Sequence, residues 1–439
     1  MCAVEGDPEA EREAGAVWYN TSAMKKSRIL LLIPTTSYRA KAFIEAADKL
    51  TVEIVVGSDK KQILSEFASG KSLLLDFTQP EKSTESIVAF AKLYPLNAVI
   101  PTDDETTIVA AMASKTLLLP HNPMDAVVAT RNKHDFRQLL SQGEFPTPHF
   151  ELFSIDDDPK RIATRIEFPC VLKPLSLSAS RGVIRTDDPK QFVAAFRRIT
   201  AILHQPDAIA RGKEEARHLL VEEYIPGKEV VLEGILYHGK LKVLALFDKP
   251  DPLEGPYFEE TIYVTPSRLP HAVQDEIKTQ MVRVVERIGL KEGPIHAEFR
   301  VNENGIWPLE VAARSIGGHC SQALRFETGL SLEELILRHA LRVKVESIER
   351  EKNASGVMMI PIPHRGILKE VRGLEKARGV PSIEEIKISI KGGQPVVPLP
   401  EGSKYLGFIF ARHETPEGVE KALRATHRRL EFVITPQQE

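Results

Sequence analysis

The sequence predicts a multidomain protein of α/β and α+β class. It should have an N-terminal parallel α/β layer, antiparallel sheets in the middle and a small C-terminal α+β domain. Strand-like and helix-like segments alternate through the first part, strand patterns joined by tight turns dominate the middle, and short strands between proline- and glycine-rich turns fill the end. With 439 residues, 42% of them hydrophobic and 27% charged, the chain is long enough for two or three domains.

Composition argues against several classes of partner. The net charge of −3 gives no electrostatic basis for binding nucleic acid or an anionic membrane, and no apolar run approaches the roughly 20 residues of a membrane-spanning helix. The three cysteines, Cys2, Cys170 and Cys320, are far apart and odd in number, which argues against a disulfide framework and a zinc cluster. Residues 1–26 lack the layout of a secretion signal and are predicted to be a disordered tail, so we expect a cytoplasmic location.

The N-terminal layer is predicted over residues 27–122. Its buried strands, with helical segments between them, are expected at Ser27–Pro34, Val52–Val56, Ser72–Asp76 and Ala98–Pro101. The first strand-to-helix turn contains no glycine, so the dinucleotide-binding fingerprint is absent. The acidic loop Asp103–Glu105 follows the fourth strand. It either caps the next helix or touches a substrate ammonium, and capping is the favoured interpretation.

The middle domain is predicted over residues 123–345 and the C-terminal α+β domain over residues 346–439. An amphipathic helix over Pro123–Gln142 leads into the middle domain, and residues 201–218 are predicted to be helical. Antiparallel strands are expected at Phe168–Pro174, Val183–Arg185, Leu219–Glu223, Val230–Tyr237, Leu241–Phe247 and Tyr263–Val264. Later helices are expected at His271–Gly289, Ser331–Arg342 and Pro416–His427.

The stretch Ile295–His319 begins with a predicted β-hairpin whose register brings two carboxylates together. With residues 303–305 as a three-residue loop, one face is entirely apolar and the other pairs Glu298 directly with Glu310. Carboxylates on Cβ atoms roughly 5 Å apart repel each other unless a cation lies between them. Mg²⁺ binds such carboxylates together with substrate phosphates; the alternative is a polar sheet face with an incidental ion pair.

Two upstream segments carry further candidates. Lys173 ends a buried strand and needs an anionic partner, and the small, hydroxyl-rich loop Leu175–Gly182 can donate N–H and serine O–H groups to phosphates. Further on, backbone groups beside Glu222 and Ile225 can pair with an adenine edge, and Glu229 can accept ribose hydroxyls. Taken singly, each segment is better explained as an ordinary strand and turn.

The order and spacing of these residues resemble the ATP-grasp superfamily, in which a two-lobed core of antiparallel sheets binds ATP. The residues that carry the resemblance are Lys133, Lys173 with its loop, Glu222–Glu229, Glu298, Glu310 twelve positions later, and Arg314 four positions after that. Within the superfamily the chain is similar to the L-amino-acid ligases, in segments such as EVAARSIGG and PLPEGSKYLGFIFAR. The resemblance extends over the flanking domains.

The resemblance implies a role for each of these residues. Lys133 and Lys173 would hold the phosphates of ATP, Glu222 and Ile225 would flank adenine, Glu229 would bind ribose, Glu298 and Glu310 would hold Mg²⁺ or Mn²⁺, and Arg314 would stabilise the reacting acyl group. Lys249 is a further candidate for a phosphate or substrate contact. The superfamily usually has asparagine two residues after the second glutamate, whereas this chain has Ala312, which removes one oxygen ligand.

The function implied is ATP-dependent, ADP-forming ligation of a small carboxylate, such as an amino acid, to an amine through an acyl phosphate. The partners would be small molecules, with a homodimer as the expected assembly, and His296 and His319 are candidate bases. One alternative is an ATP-grasp carboxylase or a purine-pathway-type ligase. Another is a nucleotide-binding protein without turnover, which Ala312 motivates.

Overall fold

The computed structural model describes residues 27–35, 37–60 and 71–436. The tail predicted at residues 1–26 lies outside this range.

The N-terminal sheet consists of the parallel strands β1 (Arg28–Leu32), β2 (Glu53–Ser58), β3 (Ser72–Leu74) and β4 (Ala98–Pro101). Their order in the sheet is β3-β2-β1-β4. The helices of this layer are α1 (Ala40–Leu50), α2 (Pro80–Leu93) and α3 (Asp104–Thr116). Residues 29–33 are fully buried because α1 covers one face of the sheet and α2 and α3 cover the other. The predicted parallel α/β layer is confirmed.

Two helices follow, where one was predicted. The prediction of a continuous helix over Pro123–Gln142 is wrong, because the chain is extended at Asn132 between α4 (Met124–Arg131) and α5 (Lys133–Gln142). The side-chain oxygen of Asn132 accepts the backbone N–H groups of His134 and Asp135, which caps α5. Lys133 is therefore the first residue of a helix rather than a mid-helix residue.

A small antiparallel sheet has the strand order β5-β8-β6-β7. Its elements are β5 (Phe150–Ser154), α6 (Pro159–Ile162), β6 (Cys170–Pro174), β7 (Ile184–Thr186), α7 (Pro189–Leu203), α8 (Pro206–Gly212), a 3₁₀ helix (Lys213–Arg217) and β8 (His218–Glu223). Side chains alternate along β6: Cys170 and Leu172 pack on the helical side, whereas Val171 and Lys173 face a cavity.

The largest sheet is antiparallel and has eight strands, in the order β13-β12-β9-β10-β11-β14-β18-β16. Among the described residues, the remaining strands are β9 (Lys228–Tyr237), β10 (Lys240–Asp248), β11 (Ile262–Thr265), β12 (Gly293–Asn302), β13 (Gly305–Ala312), β14 (Ala354–Ile360), β15 (Gly366–Arg372), β16 (Ile383–Ile388), β17 (Pro395–Val396), β18 (Gly407–His413) and β19 (Glu431–Thr435). The sheet continues without a break past residue 346, where a domain boundary is predicted; that boundary stays a prediction.

Helices and one further sheet complete the chain. The helices are α9 (His271–Ile288), a 3₁₀ helix (Cys320–Ala323), α10 (Leu332–Ala340), α11 (Leu374–Arg378) and α12 (Pro416–His427), and β17-β15-β19 form a three-stranded sheet. The C-terminal part is thus α+β, as predicted. Within the described ranges no helix combines the length and apolar character needed to cross a membrane.

Candidate active site

The β12–β13 hairpin places Glu298 directly opposite Glu310, as predicted, but its loop differs from the prediction. Asn302 pairs with Gly305, so the loop has two residues instead of three, and a β-bulge beside Phe299 restores the predicted register at the glutamates. The bulge leaves Leu309 without a partner and places it in the cavity wall. Side-chain alternation cannot reveal a bulge here. A loop that is one residue shorter shifts the pairing by one position, and the extra residue of the bulge shifts it back before the glutamates.

A cavity of about 290 Å³ lies between the small sheet and the largest sheet. The predicted site residues converge on its wall: Lys133, Lys173, Glu222, Ile225, Glu229, Glu298, Glu310 and Arg314. The N-terminal domain contributes the acidic loop Asp103–Glu105, and the C-terminal domain contributes Ser403–Tyr405. Every large segment of the fold thus supplies part of one site.

Glu222 links the small sheet to α5 through a buried ion-pair network. Its carboxylate accepts Nε of Arg137 at 2.7 Å and Nη2 at 3.3 Å, and it also pairs with the Lys173 ammonium. Burial acts to raise the pKa of Glu222, but the two cations outweigh burial and lower that pKa to about 2. Two cations share one carboxylate, and of these two Lys173 lines the cavity, where an anionic ligand could be a second partner of its ammonium.

Lys133 contacts both the loop after β6 and the hairpin. Its Nζ donates to the carbonyl of Leu177 at 2.8 Å and lies 3.8 Å from Oε2 of Glu310. The loop itself bends through positive φ at Ala179 and Ser180 (55° and 54°), which lets it fold back over the cavity. Lys133 therefore connects the predicted phosphate-binding loop to one of the predicted metal ligands.

The buried ammonium of Lys249 is the centre of a cluster of three carboxylates, of which one is buried and two are half-buried. Its Nζ lies 2.7 Å from Glu229, 2.5 Å from Glu260 and 3.4 Å from Glu298. Burial acts to lower the pKa of Lys249, but the three carboxylates outweigh burial and raise it well above its ordinary value. The second oxygen of Glu229 accepts Nε of Arg300 at 3.1 Å, so both oxygens of the predicted ribose ligand already have partners.

The two candidate bases differ in charge. Burial acts to lower the pKa of His296, but the adjacent Glu233 outweighs it and raises that pKa to about 9, so His296 is protonated at neutral pH and is a poor base. Burial lowers the pKa of His319 to about 4. The His319 ring packs against the rings of Tyr38 and Phe408, with centroid distances of 5.3 and 5.0 Å, which is a packing role.

Arg314 forms a bidentate ion pair across two domains. Its Nε and Nη2 donate to the two carboxylate oxygens of Asp104, at 3.0 and 2.8 Å. Burial acts to lower the pKa of Arg314, but Asp104 outweighs it and raises it. Within the acidic loop, Asp103 is the N-cap of α3, as the favoured interpretation predicted, and Glu105 pairs with Arg211 at 2.9 Å.

The residues at the centre of the cavity suit a hard divalent cation bound to phosphates. Glu298 and Glu310 offer carboxylate oxygens from adjacent strands, and oxygen ligands are what Mg²⁺ prefers. Oxygens of Glu229 and Glu260 lie within 4.8 Å of an oxygen of Glu298. Ala312 is buried opposite His296 and offers no side-chain oxygen, so any further ligand would come from water or from these neighbouring carboxylates.

Sequence reasoning missed three charged residues of the site. Arg137 and Arg300 are buried (1% and 3% exposed), and Glu260 bonds to both Lys249 and the Tyr263 hydroxyl. Arg137 stands on the apolar side of its helix, between buried Phe136 and Leu140, and this misplaced charge was a usable signal. The sequence around Glu260 contains no comparable signal that this residue belongs to the site.

Family models match most of the chain. The ATP-grasp N-terminal domain matches residues 44–121, the ATP-grasp domain matches residues 166–323, and the L-amino acid ligase C-terminal domain 2 matches residues 358–435.

Individual relatives agree with these matches. Alanine–anticapsin ligase of Bacillus subtilis is 24% identical over 72% of this chain and 70% of its own length. Dapdiamide A synthase of Enterobacter agglomerans is 26% identical over 53% of this chain and 54% of its own. The crystal structure of L-amino acid ligase from Bacillus licheniformis shares the fold, with a TM-score of 0.80, 22% identity, and coverage of 94% of this chain and all of that one.

Proposed function

The chain belongs to the ATP-grasp superfamily, and from that premise we propose that it is an ADP-forming carboxylate–amine ligase acting on amino acids or similar small carboxylates. One observation carries the proposal: the facing pair Glu298 and Glu310 shares a cavity with Lys133, Lys173 and Arg314. A carboxylate pair that binds a divalent cation, next to lysines that bind phosphate, is what phosphoryl transfer from ATP requires.

The first step makes the carboxylate a better acyl donor. A carboxylate oxygen of the first substrate attacks the γ-phosphorus of ATP, the bond between that phosphorus and the bridging oxygen of ADP breaks, and an acyl phosphate forms. Lys133 and Lys173 would neutralise the phosphate charge and hold the groups in line, so their contribution is positioning and electrostatic stabilisation. When bound by Glu298 and Glu310, Mg²⁺ would supply further charge neutralisation.

The second step forms the C–N bond. The neutral amine of the second substrate attacks the acyl carbon, inorganic phosphate leaves with the electron pair of the C–O bond, and the leaving phosphate takes up the proton that the amine nitrogen loses. Arg314 would stabilise the negative charge that develops on the acyl oxygen. Asp104 holds the guanidinium in a fixed orientation through its two hydrogen bonds, so the positive charge is preorganised.

The proposal is tested with the purified full chain, ATP, Mg²⁺ and pooled amino acids, by following ADP release and identifying products by mass spectrometry. Amino-acid-dependent ADP and a ligated product are expected, and Glu310→Gln should abolish both because it removes a metal ligand. Glu303→Gln is the matched control, since Glu303 lies exposed in the loop of the same hairpin. ADP formed only with bicarbonate would instead support a carboxylase, and no ADP with any pool would contradict the ligase.

A further inference from the structure

The cavity has two ends of different character. One end, beside Lys173, includes Val171, Tyr224, Ile225 and Phe258, and it is the end proposed for adenine. The other end lies beyond Arg314 and is lined by Tyr38, Ile316, Gly317, Cys320, Met359 and Tyr405. The charged residues proposed to handle phosphate and metal separate the two ends.

The wall beyond Arg314 is apolar and well supported. Ile316, Cys320 and Met359 belong to the largest hydrophobic core of the molecule and are at most 4% exposed. Tyr38 and Tyr405 pack against the same core, and both rings contact Phe408, with centroid distances of 5.6 and 6.0 Å. Aromatic and sulfur-containing side chains in such a wall favour an apolar or aromatic ligand group.

The carboxylate of Glu260, which borders this wall, already has partners. One oxygen of Glu260 lies 2.5 Å from Nζ of Lys249, and the other accepts the Tyr263 hydroxyl at 2.7 Å. A cationic ligand side chain would have to compete with Lys249, and an anionic one would meet the carboxylate. Lys404, next to Tyr405, also lines the cavity but is exposed to solvent, so an ion pair with it would contribute little. Among the described residues of this wall, neither charge therefore gains a buried partner.

The backbone at Gly317 leaves open space beside Arg314. A Cβ atom built on Gly317 would meet only Nη1 of Arg314, at 4.0 Å, and the backbone there is not in the left-handed region. Space for a side chain is therefore available next to the guanidinium. A larger residue at position 317 would fill that space without straining the chain.

We propose that this end of the cavity binds the side chain of the carboxylate-donating substrate, and that this substrate is an amino acid with a large apolar or aromatic side chain. The inference rests on the proposed function, which places the reacting carboxyl group at Arg314. A donor with its carboxyl group there extends past Gly317 onto the wall formed by Tyr38, Met359 and Tyr405. Small donors leave the wall uncovered, and charged donors lose solvation while gaining at most an exposed ion pair with Lys404.

The test is a donor panel of alanine, leucine, methionine, phenylalanine, aspartate and lysine with one fixed amine acceptor. Tandem mass spectrometry of the product identifies which residue supplied the carboxyl group. Leucine, methionine or phenylalanine should exceed alanine, aspartate and lysine in kcat/KM by about tenfold or more, the range that one or a few buried methylenes give. A preference for alanine or a charged donor would overturn the inference and leave the ligase proposal intact.

A filling variant makes the test specific to this wall. Gly317→Leu should lower the ratio of kcat/KM for the preferred large donor over alanine by about tenfold, and Gly317→Ala should lower it less. Gly379→Leu is the matched control: Gly379 is exposed, and a Cβ there has its nearest contact at 3.6 Å, so the ratio should not change. An equal loss with every donor, at an unchanged unfolding midpoint, would refute the placement. If the wild type released no ADP with any donor, the proposed function and this inference would fall together.

Discussion

Replacing Glu222 with glutamine tests the buried ion-pair network that joins the small sheet to α5. Glutamine keeps the shape and the acceptor oxygen but removes the charge that Arg137 and Lys173 share, and breaking such a buried pair costs about 3–5 kcal/mol. The pKa of Glu222 gives a consistent figure. A shift from 4.5 to about 2 corresponds to about 3 kcal/mol, since one unit is about 1.4 kcal/mol.

The sign of the pH dependence follows from the same shift. Because folding lowers the pKa of Glu222, its stabilisation is fully present above the unfolded value of 4.5 and is lost as the pH falls toward about 2. The difference in unfolding free energy between wild type and Glu222→Gln should therefore be constant from pH 7 to pH 5. The difference should shrink by about 1.4 kcal/mol at pH 3.5.

Urea unfolding followed by far-UV circular dichroism measures this difference at each pH. The control is Glu223→Gln on the same strand. Glu223 is exposed, and its carboxylate accepts the backbone N–H of His149 at 2.9 Å. Removing the charge of Glu223 should therefore lower the unfolding free energy by less than about 1 kcal/mol. A cost for Glu222→Gln below about 1 kcal/mol at pH 7, or a difference that grows toward pH 3.5, would refute the ion-pair account.

Three further perturbations address the rest of the site. Lys249→Met removes a buried cation shared by the carboxylates of Glu229, Glu260 and Glu298, and it should cost about 3–5 kcal/mol in urea unfolding. Lys278→Met, at an exposed ion pair, should cost less than about 1 kcal/mol. Arg314→Lys removes the two parallel hydrogen bonds to Asp104, and it should lower kcat for ADP release by a factor of about 10²–10³. An undiminished rate would exclude Arg314 from the reaction. Removing divalent cations with EDTA should stop ADP release, and excess Mg²⁺ or Mn²⁺ should restore it; activity that persists in EDTA would argue against the metal assignment.

Local patterns predicted many of the elements and part of the site, but not the break at Asn132 between two helices. Strand alternation predicted that Glu298 faces Glu310, and the structure has that pair, although the half of the hairpin next to the loop is shifted by one residue through the bulge beside Phe299. Alternation of strands and helices predicted the parallel N-terminal layer, since buried parallel strands form continuous apolar runs. The order of lysines and glutamates along the chain was enough to indicate the superfamily.

The partners of the buried charges were decided only by the tertiary structure. Arg137 and Glu222 are 85 positions apart, and Asp104 and Arg314 are 210 apart, so no local spacing relates them. Lys249 meets its carboxylates from three different segments, and the wall beyond Arg314 assembles from the N-terminal domain, the hairpin and the C-terminal domain. The sequence shows which charged side chains need an oppositely charged partner, because burying an unpaired charge is costly. The packing of distant segments decides which residue is that partner.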